Sequence, residues 1–111
     1  MSDLENIKDK LLKFRDDRDW AQFHNPKDLA LALSIEASEL LETFLWKKSE
    51  DANLNDIKEE LADVFAYAFM LAAAYDLNIE EIIDAKIKLN EIKYPLEKSK
   101  GTSKKYTEFK N

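Results

Sequence analysis

Two pairs of acidic residues with the same spacing are the part of this sequence best suited to chemistry. Glu36 and Glu39 form the first pair, and Glu60 and Asp63 form the second. Each pair is spaced i, i+3, which puts both carboxylates on one face of a helix, one turn apart. The pairs lie equally far from residues 49–50, so an antiparallel helical hairpin centred there would bring them level. The sequence therefore predicts four clustered carboxylates.

Four clustered carboxylates repel one another unless a cation lies between them. The oxygen-only donor set is typical of a hard divalent ion, so the sequence favours Mg2+, with Mn2+ as the alternative. Di-iron carboxylate bundles need Glu-x-x-His motifs on two helices, and zinc sites use more His or Cys. The chain has one histidine, His24, and no cysteine. A cluster of this kind predicts metal-dependent phosphate chemistry.

The competing interpretation is that these acids belong to a solvated helix face, since the chain has 23 acidic residues. Their positions around the helix argue against it. At about 100° per residue, Glu36 falls between Leu29, Leu33 and Leu40, in the middle of an apolar stripe. Glu60 falls in a similar stripe, among Ile57, Val64, Tyr67 and Leu71. An unpaired carboxylate there is costly, which favours a metal site.

Hydrophobic periodicity and capping residues predict an all-α fold of four helices, built around the metal-binding hairpin. The first helix begins with a capping box at Ser2–Glu5. The second begins at Asn25-Pro26 and is expected to run to about Lys48. The third is expected from about Asp56 to Tyr75, and the fourth from the N-cap Asn78 to just before Pro95. We expect one domain over residues 1–95, followed by a C-terminal tail over residues 96–111.

The second half of the third helix, from Val64 to Ala74, is apolar on every side. A helix that is apolar all round is expected to be buried all round, and three other helices from one small chain can hardly enclose it. The sequence therefore predicts an oligomer, either a homodimer or a homotetramer.

Charge and composition limit the other partners. The net charge of −6 argues against non-specific binding to nucleic acid or to an anionic membrane, because both need a basic surface. No apolar run is long enough to span a bilayer, and the N-terminus lacks the order of a signal peptide. A cytoplasmic location is expected.

Several further segments resemble one family. Glu-x-x-Glu followed by Glu-x-x-Asp resembles the signature of the MazG-like all-α nucleoside triphosphate pyrophosphohydrolases. Other stretches resemble their dCTP pyrophosphatase branch over nearly the whole chain, although the loop between the second and third helices is shorter than in animal members. The matching segments are Glu36–Glu39, Glu60–Asp63, Asp19–Pro26, Phe44–Lys47, Asn90–Pro95 and Lys104–Phe109.

The resemblance implies hydrolysis of a nucleoside triphosphate between its α and β phosphates, with dCTP or a modified pyrimidine as the expected substrate and nucleotide-pool sanitation as the role. It makes the four carboxylates the metal ligands and the catalytic groups. The residues that it assigns to the base pocket are Trp20, His24, Trp46 and Tyr67, while Asn90 would contact the sugar or base edge. Its candidate phosphate contacts are Lys93, Tyr94 and Lys105.

The sequence leaves three alternatives open. Trp20 and Trp46 could instead pack in the core or at a subunit contact. The same chemistry could act on another base. The chain could also be a non-catalytic helical interaction module whose acidic clusters are solvated.

Overall fold

The structure, a computed structural model, describes residues 2–109, and over that range it contains helices and no strand. The described chain forms two compact units that divide between Leu77 and Asn78. The predicted all-α class is confirmed, while the predicted division at residues 95 and 96 stays a prediction. The α-helices are α1 (Asp3–Asp17), α2 (Pro26–Glu42), α3 (Leu54–Ala74), α4 (Ile79–Lys93) and the short α5 (Leu96–Ser99).

Helix α1 begins where the sequence predicted. Ser2 Oγ accepts a hydrogen bond from the Glu5 backbone N–H at 3.2 Å, which satisfies one of the free donors of the first turn. The helix ends in a turn in which Asp19 takes a left-handed backbone with φ 55°. A single 3-10 turn, Ala21–Phe23, then leads to α2. The first two α-helices are therefore joined by an irregular segment rather than by a continuous helix.

Helix α2 begins as predicted but ends earlier than Lys48. Asn25 is the N-cap and accepts from the Asp28 backbone N–H at 2.9 Å, with Pro26 in the first turn. The last helical residue is Glu42. Thr43 Oγ1 donates to the Leu40 carbonyl at 2.7 Å, which gives that carbonyl a side-chain partner at the helix end. The chain then leaves the helix through a turn in which Trp46 has φ 62°.

Helices α2 and α3 pack against each other as the predicted antiparallel hairpin, and α1 packs on α3. Asn53 caps α3 by accepting from the Asp56 backbone N–H at 3.1 Å. The core of this unit contains Leu29 from α2, which is 2% exposed, together with Phe69, Met70 and Ala72 from α3. The hairpin holds the segments that carry the acidic pairs side by side.

Helix α3 is only partly enclosed by its own chain. Phe69 and Met70 are buried, whereas Phe65 is 56% exposed and Ala74 is also exposed. Apolar side chains that one chain leaves exposed are expected to be covered by a second subunit. The oligomer itself stays a prediction. Among residues 2–109, no helix combines the length and apolar character needed to cross a membrane.

The second unit contains α4, α5 and the tail as far as Phe109. Asn78 caps α4 and accepts from the Glu81 backbone N–H at 2.9 Å. Helix α4 ends at Lys93, shortly before Pro95, as predicted. The ring of Tyr94 makes edge contacts with Tyr106 and Phe109, at centroid distances of 5.9 and 5.7 Å. These contacts attach the tail to the end of α4.

Candidate active site

The four predicted carboxylates converge on the α2–α3 hairpin. Carboxylate oxygens of Glu36, Glu60 and Asp63 all lie within 4.8 Å of one another. The Glu39 carboxyl lies within hydrogen-bonding reach of both Glu36 and Glu60. The antiparallel register thus brings the two i, i+3 pairs level, as their equal distance from the loop predicted. We call these four residues the carboxylate cluster.

Two oxygens of the carboxylate cluster are buried without a partner. Glu36 Oε2 and Glu60 Oε2 accept no hydrogen bond from any described residue. The ion pairs found within residues 2–109, Lys13–Asp17 and Arg15–Asp16, both lie in α1. A buried anionic oxygen without a donor is costly, and a divalent cation with oxygen ligands would satisfy both at once. The donor set therefore fits a divalent metal ion.

The electrostatics of the cluster agree with this fit. The pKa of Glu36 is raised from its ordinary value of 4.5 to about 7, first by its hydrogen bond with Glu39, then by burial and by repulsion from the other carboxylates. The pKa of Glu60 is raised as well, chiefly by desolvation and then by Glu39. Desolvation and the charges of Glu36, Asp63 and Glu39 also raise the pKa of the Tyr67 hydroxyl. Tyr67 therefore lies close to the cluster.

The raised pKa of Glu36 predicts how the metal-free protein responds to pH. A folded-state pKa above the unfolded value means that the folded state holds the extra proton, so stability is full below about pH 4.5 and falls as pH rises to about 7. We expect the melting temperature in EDTA to fall across this window. Excess Mg2+ should raise it most at the upper end, because the ion binds the ionised carboxylates.

Glu36→Gln is the control for this experiment, because it removes the titrating group. Thermal melts of both proteins from pH 4.5 to 8 should show a steeper decline for the unmodified chain. Parallel curves would show that Glu36 does not titrate in this window.

A cavity of about 420 Å3 adjoins the cluster on the hairpin. Its lining residues are Glu39, Glu42, Thr43, Lys47, Asp56 and Glu60. Lys47 supplies the only cation in this lining and was not among the predicted site residues. The expected extension of α2 to Lys48 treated Lys47 as part of a helix, whereas the structure places it in the turn after α2. The sequence feature that could have identified Lys47 as a site residue is its position beside Trp46, in the segment Phe44–Lys47 that resembles the family.

The aromatic candidates in the first unit take three different positions. His24 and Tyr67 contact each other edge-on, with ring centroids 6.5 Å apart, and His24 Nδ1 is buried without a hydrogen-bond partner among the described residues. Trp20 is 45% exposed and packs edge-on against Phe14 at 5.7 Å. Trp46 is fully exposed, so the alternative that placed it in the core of its own chain is wrong.

The remaining candidates lie in the second unit. Asn90 is exposed on α4, and its carbonyl accepts from the Tyr94 backbone N–H at 2.7 Å. Lys93 Nζ lies 5.1 Å from the ring centroid of Tyr106. The Lys105 backbone N–H donates to Glu108 Oε2 at 3.1 Å. Contact of these residues, or of Tyr94, with a substrate stays a prediction.

Comparison with known proteins gives consistent matches. The chain is 35% identical to dCTP pyrophosphatase 1 from Bos taurus over 114 residues, which cover 96% of this chain and 68% of the relative. The Homo sapiens protein of that name is also 35% identical, with 96% and 67% covered. The crystal structure of a pyrophosphatase from Archaeoglobus fulgidus DSM 4304 superposes with a TM-score of 0.79 and 38% identity, covering 86% of this chain and 94% of that one. The MazG-like family model matches residues 31–109, which include both helices of the carboxylate hairpin. The chain therefore belongs to the MazG-like family.

Proposed function

We propose that this protein is a nucleoside triphosphate pyrophosphohydrolase whose preferred substrate is dCTP or a modified pyrimidine deoxynucleotide. Water is added across the anhydride between the α and β phosphates, which gives the monophosphate and pyrophosphate. The observation that carries the proposal is the convergence of four carboxylates with two buried, unpartnered oxygens. The names of the bovine and human relatives supply the substrate.

Mg2+ is the proposed cofactor, with Mn2+ able to replace it. Glu36, Glu39, Glu60 and Asp63 would hold the ion through carboxylate oxygens. When bound, it would neutralise charge on the triphosphate and stabilise the charge that develops as the anhydride bond breaks. A carboxylate of the cluster would take the proton of the attacking water.

The base would bind beside the cluster. His24 and Tyr67 support this proposal most directly, because they contact each other and Tyr67 is close enough to the carboxylates for their charges to raise its pKa. The buried and unpartnered His24 Nδ1 could accept from or donate to a base edge. Trp46 and Trp20 would supply stacking surfaces. By the family resemblance, the substrate would also contact Asn90, Lys93, Tyr94 and Lys105.

Lys47 is proposed as a further phosphate contact, because it is the cation in the lining of the cavity next to the cluster. Lys47→Ala is expected to raise KM about tenfold, the usual loss for one charged hydrogen bond. Its melting temperature should not change, since the side chain is exposed.

The matched control is Lys48→Ala, which removes an exposed lysine that does not line the cavity. Steady-state kinetics of the two variants would show whether the rise in KM is specific to Lys47. An equal effect of both changes would assign Lys47 to general surface charge.

Assembly and location complete the proposal. A homodimer or homotetramer would cover the exposed apolar side chains of α3, such as Phe65. We place the enzyme in the cytoplasm, where it would remove unwanted deoxynucleotides from the nucleotide pool. Nucleic acid and membranes are not among its proposed partners.

A nucleotide panel with pyrophosphate release as the readout tests this function. The panel contains dCTP, 5-methyl-dCTP, CTP, dUTP, dTTP, dATP and dGTP, each with Mg2+ and with EDTA. We expect the highest kcat/KM for the cytosine deoxynucleotides, and no release in EDTA. Preference for another base would overturn the substrate, and no pyrophosphate from any nucleotide would overturn the proposed activity.

A further inference from the structure

The segment that follows α4 is positively charged within an acidic protein. Residues 96–109 contain four lysines and two glutamates, whereas the whole chain has a net charge of −6. Positive charge that is collected in one short segment attracts anions locally, even when the protein as a whole repels them. This segment is therefore a place to look for an anion site outside the carboxylate cluster.

A cavity of about 250 Å3 lies in this segment. Its lining residues are Lys98, Thr102, Lys104, Glu108 and Phe109, and we call it the tail pocket. All five belong to the second unit, so the cavity is formed within that unit.

A turn after α5 gives the tail pocket its two lysines. Lys98 lies in α5. Gly101 has φ 80°, a left-handed conformation that glycine adopts without the steric cost of a side chain. The Thr102 backbone N–H donates to the Ser99 carbonyl at 3.2 Å. The chain turns here, and Thr102 and Lys104 then line the same cavity as Lys98.

Aromatic contacts fix the other side of the tail pocket. Phe109 is half-buried, and its ring meets that of Tyr94 edge-on at a centroid distance of 5.7 Å. Tyr106 contacts the same Tyr94 ring at 5.9 Å. A wall that is held in place before a ligand arrives lowers the entropic cost of binding.

The donors of the tail pocket are available to a ligand. The ion pairs found within residues 2–109 both lie in α1, so neither Lys98 nor Lys104 has a carboxylate partner in that range. Thr102 Oγ1 accepts from the Lys104 backbone N–H at 3.3 Å, and a hydroxyl that accepts in this way can still donate its own proton. Glu108 Oε2, the carboxylate oxygen nearest in sequence, accepts from the Lys105 backbone N–H at 3.1 Å.

We propose that the tail pocket binds a free phosphate-bearing anion. Lys98 and Lys104 are its ammonium partners and Thr102 is its hydroxyl donor, since phosphate oxygens accept charge-assisted hydrogen bonds from such groups. Inorganic pyrophosphate is the ligand that we assign, and this assignment rests on the proposed function, because that reaction releases pyrophosphate. The charge of Glu108 opposes the anion, so we expect moderate affinity that added salt weakens.

Binding is tested by isothermal titration of the full chain with pyrophosphate in EDTA. The carboxylate cluster repels the anion when no metal is present, so it does not contribute to the measured binding. Lys98→Ala and Lys104→Ala should each weaken binding about tenfold, the usual loss for one charged hydrogen bond. Lys100→Ala is the matched control, because it removes an exposed lysine of the same segment that does not line the pocket. Its affinity should stay close to that of the unmodified protein.

A third variant tests the pocket without changing its charge. Thr102→Val keeps the size of the side chain and removes the hydroxyl donor, so it should also weaken binding. Circular dichroism shows whether each variant is folded. Absence of heat with up to about 10 mM pyrophosphate would overturn the site. Pocket variants that bind no more weakly than Lys100→Ala would overturn it as well.

Two further measurements separate the sources of the phosphate group. A pocket for free pyrophosphate predicts that Lys98→Ala leaves the KM for dCTP unchanged, whereas a rise in KM would show that the pocket holds the substrate triphosphate and would overturn the free anion. Sedimentation with vesicles that contain phosphatidic acid should give no binding. Vesicle binding that the pocket variants abolish would assign the site to lipid headgroups and would likewise overturn the free anion.

The titration also separates this inference from the proposed function. It involves no hydrolysis, so the anion site stands if pyrophosphate binds in EDTA and the pocket variants weaken that binding, even where no nucleotide is cleaved. In that case the proposed function fails, and the assignment of pyrophosphate as a product fails with it. Nucleotide cleavage without pyrophosphate binding gives the opposite result, in which the proposed function stands and the tail pocket is overturned.

Discussion

Glu39→Gln is expected to reduce turnover of dCTP by about a hundred- to a thousandfold while leaving the protein folded. Glu39 lies within hydrogen-bonding reach of both Glu36 and Glu60, so its loss affects the centre of the carboxylate cluster. An amide is a far weaker ligand for Mg2+ than a carboxylate. The loss of a group that stabilises developing charge typically costs a hundred- to thousandfold in rate. Steady-state kinetics at saturating Mg2+ would measure the effect.

The same substitution should raise the melting temperature of the metal-free protein, or leave it unchanged. It removes one of the charges that raise the pKa of Glu36 and Glu60, and therefore some of the repulsion within the cluster. Glu59→Gln is the matched control, because Glu59 is an exposed glutamate of α3 next to Glu60. Its activity should stay close to normal. Normal turnover by a folded Glu39→Gln variant would contradict the metal site.

Trp46→Ala is expected to raise KM for dCTP by about ten- to a hundredfold, the usual loss for one stacking partner. The indole is fully exposed, and its backbone has φ 62°. A bulky residue in this conformation costs about 1–2 kcal/mol, so the tryptophan is poorly explained by stability. Alanine keeps the Cβ and most of that strain, so we expect an unchanged melting temperature.

Selectivity separates the two remaining explanations for Trp46. If the side chain stacks on the base, Trp46→Ala should reduce the preference for cytosine, and Trp46→Phe should keep most of it. If the side chain serves a subunit contact, the molar mass should fall and the preference should stay. A normal KM with normal preference would remove Trp46 from the proposed pocket.

The carboxylate cluster could be predicted from the sequence because its determinants are local. The i, i+3 spacing sets the face of each helix, and the equal distance of the two pairs from residues 49–50 brings them level in an antiparallel hairpin. The capping residues Asn25, Asn53 and Asn78 likewise act through bonds to residues three positions later. Such short-range interactions are visible in a sequence.

The end of α2 was harder to predict, because nothing in the local sequence requires it. The segment from Thr43 to Lys48 contains no Gly or Pro, and its apolar residues continue the helical pattern. The structure ends the helix with a threonine hydroxyl bond and a left-handed tryptophan, a conformation that is uncommon for a bulky side chain. The position of Lys47 in the cavity lining depends on this turn. The sequence alone therefore does not predict Lys47 as a site residue.

The exposure and contacts of the two tryptophans also cannot be predicted from their neighbours in the sequence. A helical pattern shows that Trp46 follows the apolar stripe, yet exposure depends on how the chain turns after Glu42. Trp20 was predicted to line the base pocket, whereas the contact that the structure gives it is with Phe14 of α1. Contacts across helices of this kind follow from tertiary packing, and a single sequence does not specify them.

Identification of the products formed from dCTP shows which phosphate bond the protein hydrolyses. The protein is incubated with dCTP in the presence of Mg2+, and the products are separated by ion-exchange chromatography and observed by phosphorus NMR. Cleavage between the α and β phosphates predicts dCMP and pyrophosphate in equal amounts, and no reaction in excess EDTA. Formation of dCDP and phosphate, or unchanged dCTP with Mg2+ present, would contradict the proposed pyrophosphohydrolase activity.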